Sequence, residues 1–92
     1  MTGSTLTTST EELRTWLIQR IAEYLEKDAA EIDAEATFEA QGLDSMAALT
    51  LCDDIEDQMG LVVEPTLAWD HPTIDKLADF LIRTAAEAEA SR

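Results

Sequence analysis

The fold is decided by residues 42–60, which read GLDSMAALTLCDDIEDQMG. Asp44 is a good N-cap whose charge suits the positive end of a helix, and Gly60 suits the position just past a helix end. These two residues predict a helix over 45–59. At 100° per residue, one arc about 100° wide is apolar, and it holds Ala48, Leu51, Cys52, Ile55 and Met59. The opposite side carries Met46, Thr50, Asp53, Asp54 and Asp57, while Leu49 lies just beyond the apolar arc.

Two further helices flank this one. Ser9 and Glu12 fit a capping box, which predicts a helix over about 10–26. Its apolar residues recur at spacings of three and four and are Leu13, Trp16, Leu17, Ile21, Tyr24 and Leu25. Thr73 is the predicted N-cap of a final helix. The i, i+3, i+4, i+7 pattern of that helix consists of Ile74, Leu77, Ala78 and Leu81.

The connections between these helices are irregular in sequence. Residues 27–43 have no clean period, and we expect Ile32 and Phe38 to pin them to the core. Gly42 permits a tight backbone turn. In residues 61–72, two prolines prevent one long helix, and a short helical turn near 66–69 is predicted, capped by Thr66. Trp69 is expected to be a core residue or a plug under the loop.

These elements predict an all-α fold, a small antiparallel four-helix bundle with three main helices, one short helix and a long first loop. Residues 1–8 are small and polar and are expected to be a disordered tail. The folded domain is expected over 9–84, with residues 85–92 a fraying tail.

Charge and composition exclude several classes of function. The 92 residues hold 6 Lys and Arg against 20 Asp and Glu, a net charge of −14, which disfavours nucleic acid and anionic membranes as partners. The sequence shows no signal peptide and no membrane-spanning run, so a cytoplasmic protein is expected. One cysteine and one histidine cannot make a disulfide or a zinc site. No Lys or Arg occurs within 28–75, and this acidic stretch is either a solvated surface or a docking face for basic partners.

Ser45 directly follows the predicted N-cap, so its side chain lies near free backbone N–H groups. The helix dipole favours negative charge there, which suits a phosphate ester on this serine. No base stands nearby in sequence, and no triad can be assembled from His71. Ser45 is therefore interpreted as a modification site rather than a nucleophile, and no catalytic residue is predicted.

Around this serine the sequence resembles the carrier proteins of polyketide and fatty-acid synthesis. Their motif is Gly-x-Asp-Ser-[Leu/Met], and residues 42–46 read Gly-Leu-Asp-Ser-Met. Residues 66–73 read Thr-Leu-Ala-Trp-Asp-His-Pro-Thr, which looks like the family's Thr-Leu-x-Phe-Asp-Tyr/His-Pro-Thr segment. Upstream, Ile32-Asp33 and Phe38 look like the family's Ile-Asp … Phe pattern. The resemblance covers residues 12–83, nearly the whole domain.

The resemblance implies that a phosphopantetheinyl transferase moves 4′-phosphopantetheine from coenzyme A onto Ser45. The arm then holds an acyl group as a thioester and brings it to other enzymes. Further implied partners are an acyl-loading ligase or acyltransferase and a ketosynthase or other chain-processing enzymes. Asp44 caps the helix, with or without a second role in holding the transferase's metal and coenzyme. The residues expected to contact partners are Met46, Leu49, Asp53, Glu56 and Asp57, on a monomer.

Three interpretations of the function stay open at this stage, an acyl carrier, a peptidyl carrier and an adaptor. The Asp-His-Pro-Thr segment and Leu43 favour an acyl carrier of polyketide-synthase type over a peptidyl carrier of nonribosomal synthesis. An acidic helical adaptor with an unmodified Ser45 belongs to a different class.

The roles of individual residues also stay open. For Leu49, a packing role competes with a role in lining an acyl or pantetheine groove. For the acids of this helix, simple solvation competes with partner binding.

Overall fold

Within residues 9–90, which the computed structural model describes, the chain folds as α-helices joined by loops. The helices are α1 (Thr10–Leu25), α2 (Phe38–Gln41), α3 (Ser45–Met59), α4 (Leu67–Asp70) and α5 (Ile74–Ala90). The predicted all-α bundle is confirmed, with one short helix more than the sequence indicated. The predicted tail 1–8 lies outside the described residues. Since α5 continues to Ala90 and residues 91–92 lie outside the described part, the fraying of 85–92 stays a prediction.

The predicted helix ends are confirmed by their capping bonds. At the start of α1, the Glu12 N–H donates to Ser9 Oγ at 3.1 Å, and the Ser9 N–H donates to the Glu12 carboxylate at 3.1 Å. At the start of α5, the Lys76 N–H donates to Thr73 Oγ1 at 3.1 Å. Gly60 ends α3 in the left-handed region at φ +69°, where a glycine is favoured.

The core lies between the buried faces of α1, α3 and α5. Its fully buried large side chains are Phe38, Leu17, Ile21, Leu51, Ile55, Ile74, Leu77 and Leu81. Helix α1 packs against both α5 and α3. An ion pair between Arg14 Nε and Asp75 Oδ1, 2.6 Å apart, also joins α1 to the start of α5.

The long first loop has more structure than its irregular sequence indicated. Ala29–Glu31 form a 3₁₀ turn, and α2 follows with Thr37 as its N-cap, where the Ala40 N–H donates to Thr37 Oγ1 at 3.0 Å. Sequence reasoning missed α2, although Thr37 before it and Gly42 after it are the two residues that mark its ends. Ile32 and Phe38 are both buried, which confirms that they pin the loop to the core.

The same loop is bonded to the start of α5. The Phe38 N–H donates to the Pro72 carbonyl at 2.8 Å, and the Asp75 N–H donates to the Ala34 carbonyl at 3.1 Å. Between these bonds, Thr37 and Thr73 form an isolated antiparallel bridge. The segment that leads into α3 is therefore held by a part of the chain more than thirty residues away.

Helix α4 begins one residue later than the predicted 66–69. The side chain of Thr66 accepts no capping bond, and its hydroxyl instead donates to Asp70 Oδ2 at 3.1 Å. His71 ends this helix and stacks on Phe80 of α5, with ring centroids 4.0 Å apart. The expectation that Trp69 is a core residue is wrong, because Leu67 and Ala68 occupy the inward positions of this single turn and leave the indole 47% exposed.

Candidate functional site

Ser45 is the first residue of α3, and its side chain is exposed. Asp44 is the N-cap, and the Ala47 N–H donates to Asp44 Oδ1 at 2.8 Å. The N–H groups of Ser45 and Met46 belong to the first turn, where an amide has no acceptor within its own helix. These amides and the helix dipole favour a negative group on Ser45 Oγ. The residues at this helix start therefore fit a phosphate ester.

The backbone before Ser45 is anchored by two neighbouring residues. Gly42 adopts φ +101°, a left-handed conformation that confirms the predicted turn. Leu43 is buried, and its N–H donates to the Phe38 carbonyl at 3.0 Å. The hydroxyl of Ser45 is thus exposed at the surface, and the preceding segment is held in place by the turn at Gly42 and the burial of Leu43.

Among the described residues, the two side chains that could assist nucleophilic catalysis, His71 and Cys52, are engaged elsewhere. In the described part of the chain no hydrogen bond joins Ser45 Oγ to a base, and the imidazole of His71 is stacked on Phe80. Cys52 is buried, and its thiol donates to the Glu64 carbonyl at 3.6 Å. Burial, reinforced by Asp53 and Glu56, raises the pKa of the Cys52 thiol. Both His71 and Cys52 therefore serve in packing here.

Residues 9–90 show neither a cluster of metal ligands nor a membrane-spanning helix. No three His, Cys, Asp or Glu side chains in this range come together as a cation site. None of the described helices combines the length and the apolar character needed to cross a bilayer.

Two apolar side chains stand exposed on α3 near Ser45. Met46 is 75% exposed, as its position on the polar side of the helix predicted. Leu49 is 49% exposed and does not belong to the core or to the apolar residues packed against it. Exposed large apolar side chains that lie close together are typical of surfaces that contact another protein.

The acids of α3 differ in what they contact. Asp53 and Asp57 are exposed, and none of the ion pairs within residues 9–90 includes them. Glu56 is half-buried, and its Oε2 accepts the Val63 N–H at 3.0 Å, which ties α3 to the loop that follows it. Glu56 has its second carboxylate oxygen left for other contacts.

Asp54 was placed on the outer acidic side by the helical pattern, and the structure corrects this. Its carboxylate accepts the hydroxyl of Tyr24 and lies 3.7 Å from Arg20 Nη1, both on α1. Tyr24, one of the apolar positions of the α1 pattern, is half-buried and packs against the core, and its hydroxyl reaches this acid. The helical period did not reveal this because α1 covers the edge of α3 that holds Asp54.

Replacement of Tyr24 by Phe is expected to flatten the alkaline limb of the stability profile. Burial, followed by the Asp54 bond and charge, raises the pKa of the Tyr24 phenol above its usual range. The folded protein therefore keeps a proton that the unfolded chain loses above about pH 10, so stability falls as the pH rises past that value. Urea unfolding at several pH values above and below it measures the slope. Tyr24 is the sole tyrosine in the sequence, so an equally steep fall in the variant would contradict this role.

Basic residues are absent from the stretch of sequence that holds Ser45. The arginines of α1 and α5 are paired, Arg14 with Asp75, Arg20 with Glu23 and Asp54, and Arg83 with Asp79. Since residues 28–75 contain no Lys or Arg, the uncompensated acids surround the segment that holds Ser45. Such a field attracts basic partners.

Sequence reasoning did not single out Gln41, the last residue of α2. Its side-chain amide bonds to the backbone of Asp33 and Ala36 in the preceding turn. The only local signal is the position of Gln41 between the cap residue Thr37 and Gly42, and that signal does not identify its partners.

Comparisons with known proteins agree with this site. Residues 15–81 match the family described as the phosphopantetheine attachment site. The chain is 35% identical over 75 residues to 6-methylsalicylic acid synthase of Penicillium patulum, covering 77% of this chain and 4% of that protein. It is 32% identical over 79 residues to polyketide synthase PksL of Bacillus subtilis, covering 86% and 2%. The chain thus spans only 4% and 2% of the length of these two relatives.

Solved structures of similar size show the same fold. A free-standing peptidyl carrier protein from Acinetobacter baumannii is 34% identical with a TM-score of 0.81, covering 83% of this chain and 95% of that one. The acyl carrier protein LipD from Actinoplanes friuliensis is 36% identical with a TM-score of 0.73, covering 92% and 94%. The acyl carrier protein Asl1650 from Anabaena is 34% identical with a TM-score of 0.78, covering 86% and 90%.

Proposed function

Because the chain belongs to the phosphopantetheine attachment family, we propose that it is an acyl carrier with the 4′-phosphopantetheine arm attached to Ser45. The observation that carries this assignment is the exposed Ser45 at the first position of α3, inside the matched range 15–81. The attached group supplies a terminal thiol that holds an acyl chain as a thioester. The chain itself acts as a non-catalytic carrier.

The residues around Ser45 have distinct tasks in this proposal. Asp44 caps α3 and so fixes the direction of the Ser45 side chain. The first-turn amides stabilise the negative charge of the phosphodiester. A flexible tether raises the concentration of its cargo at a docked enzyme, which allows each docking contact to be weak and reversible.

The α3 face next to Ser45 is proposed as the docking face. Met46 and Leu49 supply exposed apolar contacts, while Asp53 and Asp57 supply exposed charges that belong to none of the ion pairs among residues 9–90. Glu56 contributes its remaining oxygen. The proposed partners are a phosphopantetheinyl transferase, an acyl-loading ligase or acyltransferase, and a ketosynthase or other chain-processing enzyme. We further propose that the carrier is a cytoplasmic monomer.

Polyketide synthesis is the proposed pathway class. It is favoured by the similarity to 6-methylsalicylic acid synthase and to polyketide synthase PksL. The similarity to a free-standing peptidyl carrier keeps aminoacyl cargo as the second candidate. Loading in a cell extract, followed by mass measurement of the thioester, distinguishes an acyl cargo from an aminoacyl cargo.

The central test is incubation of the protein with coenzyme A and a broad-specificity transferase, followed by intact-mass measurement. We expect the gain of one phosphopantetheinyl group. A protein that gains nothing under conditions that modify a known carrier contradicts the proposal and favours the unmodified adaptor.

Charge reversal of Asp53 and Asp57 together, D53K with D57K, is expected to raise the KM of a partner enzyme about tenfold. Each lost exposed pair is worth roughly 0.5–1 kcal/mol, and tenfold corresponds to about 1.4 kcal/mol. The difference should shrink in high salt, because exposed charges are screened. Steady-state kinetics with the carrier as variable substrate gives the KM.

The matched control is E26K with E31K, which changes the net charge equally at two exposed acids outside α3. We expect this control to change the KM by less than about threefold, since long-range attraction alone is affected. Equal KM values for the two double variants would remove Asp53 and Asp57 from the docking face.

A further inference from the structure

The side chain of Gln41 forms a clamp between α2 and the turn before it. Gln41 Oε1 accepts the Asp33 N–H at 3.0 Å. Gln41 Nε2 donates to the Asp33 carbonyl at 2.9 Å and to the Ala36 carbonyl at 3.3 Å. One side chain thus bonds both a donor and two acceptors of the backbone within a single turn.

Helix α2 needs such support because it has only four residues. Isolated helices shorter than about 12 residues are marginal in water, so tertiary contacts must hold this one. At its start, the Phe38 N–H is bonded to Pro72 and the Ala40 N–H is bonded to the Thr37 hydroxyl. At its end, the Gln41 side chain is the contact that ties the last turn back to the loop.

The end of α2 leads directly to Ser45. Gly42 follows Gln41 in the left-handed conformation, and the N–H groups of Gly42 and Leu43 donate to the carbonyls of Glu39 and Phe38. Asp44 and Ser45 come next and begin α3. If the end of α2 unfolds, these two backbone hydrogen bonds break, and residues 42–44 no longer hold one conformation before Ser45.

We propose that Gln41 is a positioning residue for the modification of Ser45. Its amide closes the 33–36 turn onto α2 and thereby holds residues 42–44 in the arrangement that a transferase recognises. This inference rests on the proposed attachment of the arm to Ser45. Loss of the Gln41 bonds is expected to weaken recognition by the transferase. An enzyme that binds only the conformation in which these bonds are formed then has a lower concentration of that conformation available.

Two substitutions separate the bonds of the clamp. Gln41→Ala removes all three. Gln41→Glu keeps an acceptor for the Asp33 N–H but replaces the amide donor with a carboxylate oxygen facing two carbonyls. Gln19→Ala is the matched control, because Gln19 is an exposed glutamine on α1, far from Ser45 in sequence.

The experiment combines amide hydrogen exchange with transferase kinetics on the full chain. For Gln41→Ala we expect exchange of the Gly42 and Leu43 amides to speed up about tenfold. Opening of this segment then no longer breaks the hydrogen bonds of the Gln41 side chain, so the open state becomes more populated. The buried amides of α1 and α5 should keep their rates. The KM for the carrier should rise about threefold with kcat within twofold of wild type. Gln41→Glu should raise the KM at least as much, because its carboxylate oxygen is repelled by the two carbonyls, and Gln19→Ala should match wild type.

Three results would overturn the positioning role. The first is unchanged exchange at Gly42 and Leu43 in Gln41→Ala. The second is exchange that speeds up equally throughout the chain, which indicates a general loss of stability. The third is an unchanged KM for Gln41→Ala while the wild type is modified normally, and this leaves the proposed function intact. A wild type that is never modified overturns the proposed function itself, together with the positioning role.

Discussion

Replacing Ser45 with Ala is expected to abolish the gain of mass on incubation with coenzyme A and a transferase. In the proposed function the hydroxyl of Ser45 accepts the phosphoryl group, and Ala offers no oxygen to form the ester. The fold should be unaffected, because this side chain is exposed and makes no hydrogen bond within residues 9–90. Intact-mass measurement reports the modification, and circular dichroism reports the helices.

The matched control is Thr50→Ala on the same helix. Thr50 is also exposed, and its hydroxyl donates to the Met46 carbonyl at 3.0 Å, a bond between a side chain and the preceding turn that contributes little to a helix. We expect Thr50→Ala to gain one phosphopantetheinyl group as the wild type does. A full gain in Ser45→Ala would place the attachment on another hydroxyl and contradict the assignment of Ser45.

Replacing Phe38 with Ala is expected to lower the free energy of unfolding by about 3–5 kcal/mol, the usual cost of emptying a buried aromatic site. Phe38 is 1% exposed, and it is the side chain that fastens the first loop to the core. A single domain of this size has only about 5–15 kcal/mol in total, so this loss removes a large part of its stability. Urea unfolding followed by circular dichroism measures the change.

Val62→Ala is the control for this experiment, because Val62 is also apolar but 93% exposed. We expect a change of less than about 0.5 kcal/mol there, as is usual for surface substitutions. Similar losses at both positions would mean that Phe38 does not anchor the loop.

The proposed docking face and the core lie on opposite sides of α3. Buried residues such as Leu51 and Ile55 orient α3, and this orientation turns Met46, Asp53 and Asp57 outward next to Ser45. Any substitution that rotates α3 is therefore expected to affect partner binding without touching the docking residues.

The sequence by itself determined the three main helices, their caps and the position of Ser45 directly after the N-cap of α3. These features depend on interactions within a few residues. The Asp44 carboxylate reaches the Ala47 amide, Gly60 permits a left-handed end, and the apolar spacing selects the buried side of α3. Because each of these interactions is local, the sequence pattern contains all the information needed to predict it.

Only the tertiary structure decided how the remaining parts are used. The Asp54 carboxylate accepts the hydroxyl of Tyr24, which lies on α1 thirty residues away in sequence. The first loop is hydrogen-bonded to Pro72 and Asp75. Trp69 is exposed because its neighbours Leu67 and Ala68 occupy the buried positions. The clamp of Gln41 joins residues five and eight positions apart through a turn without a period. These contacts depend on which elements pack together, and no spacing along the chain encodes that choice.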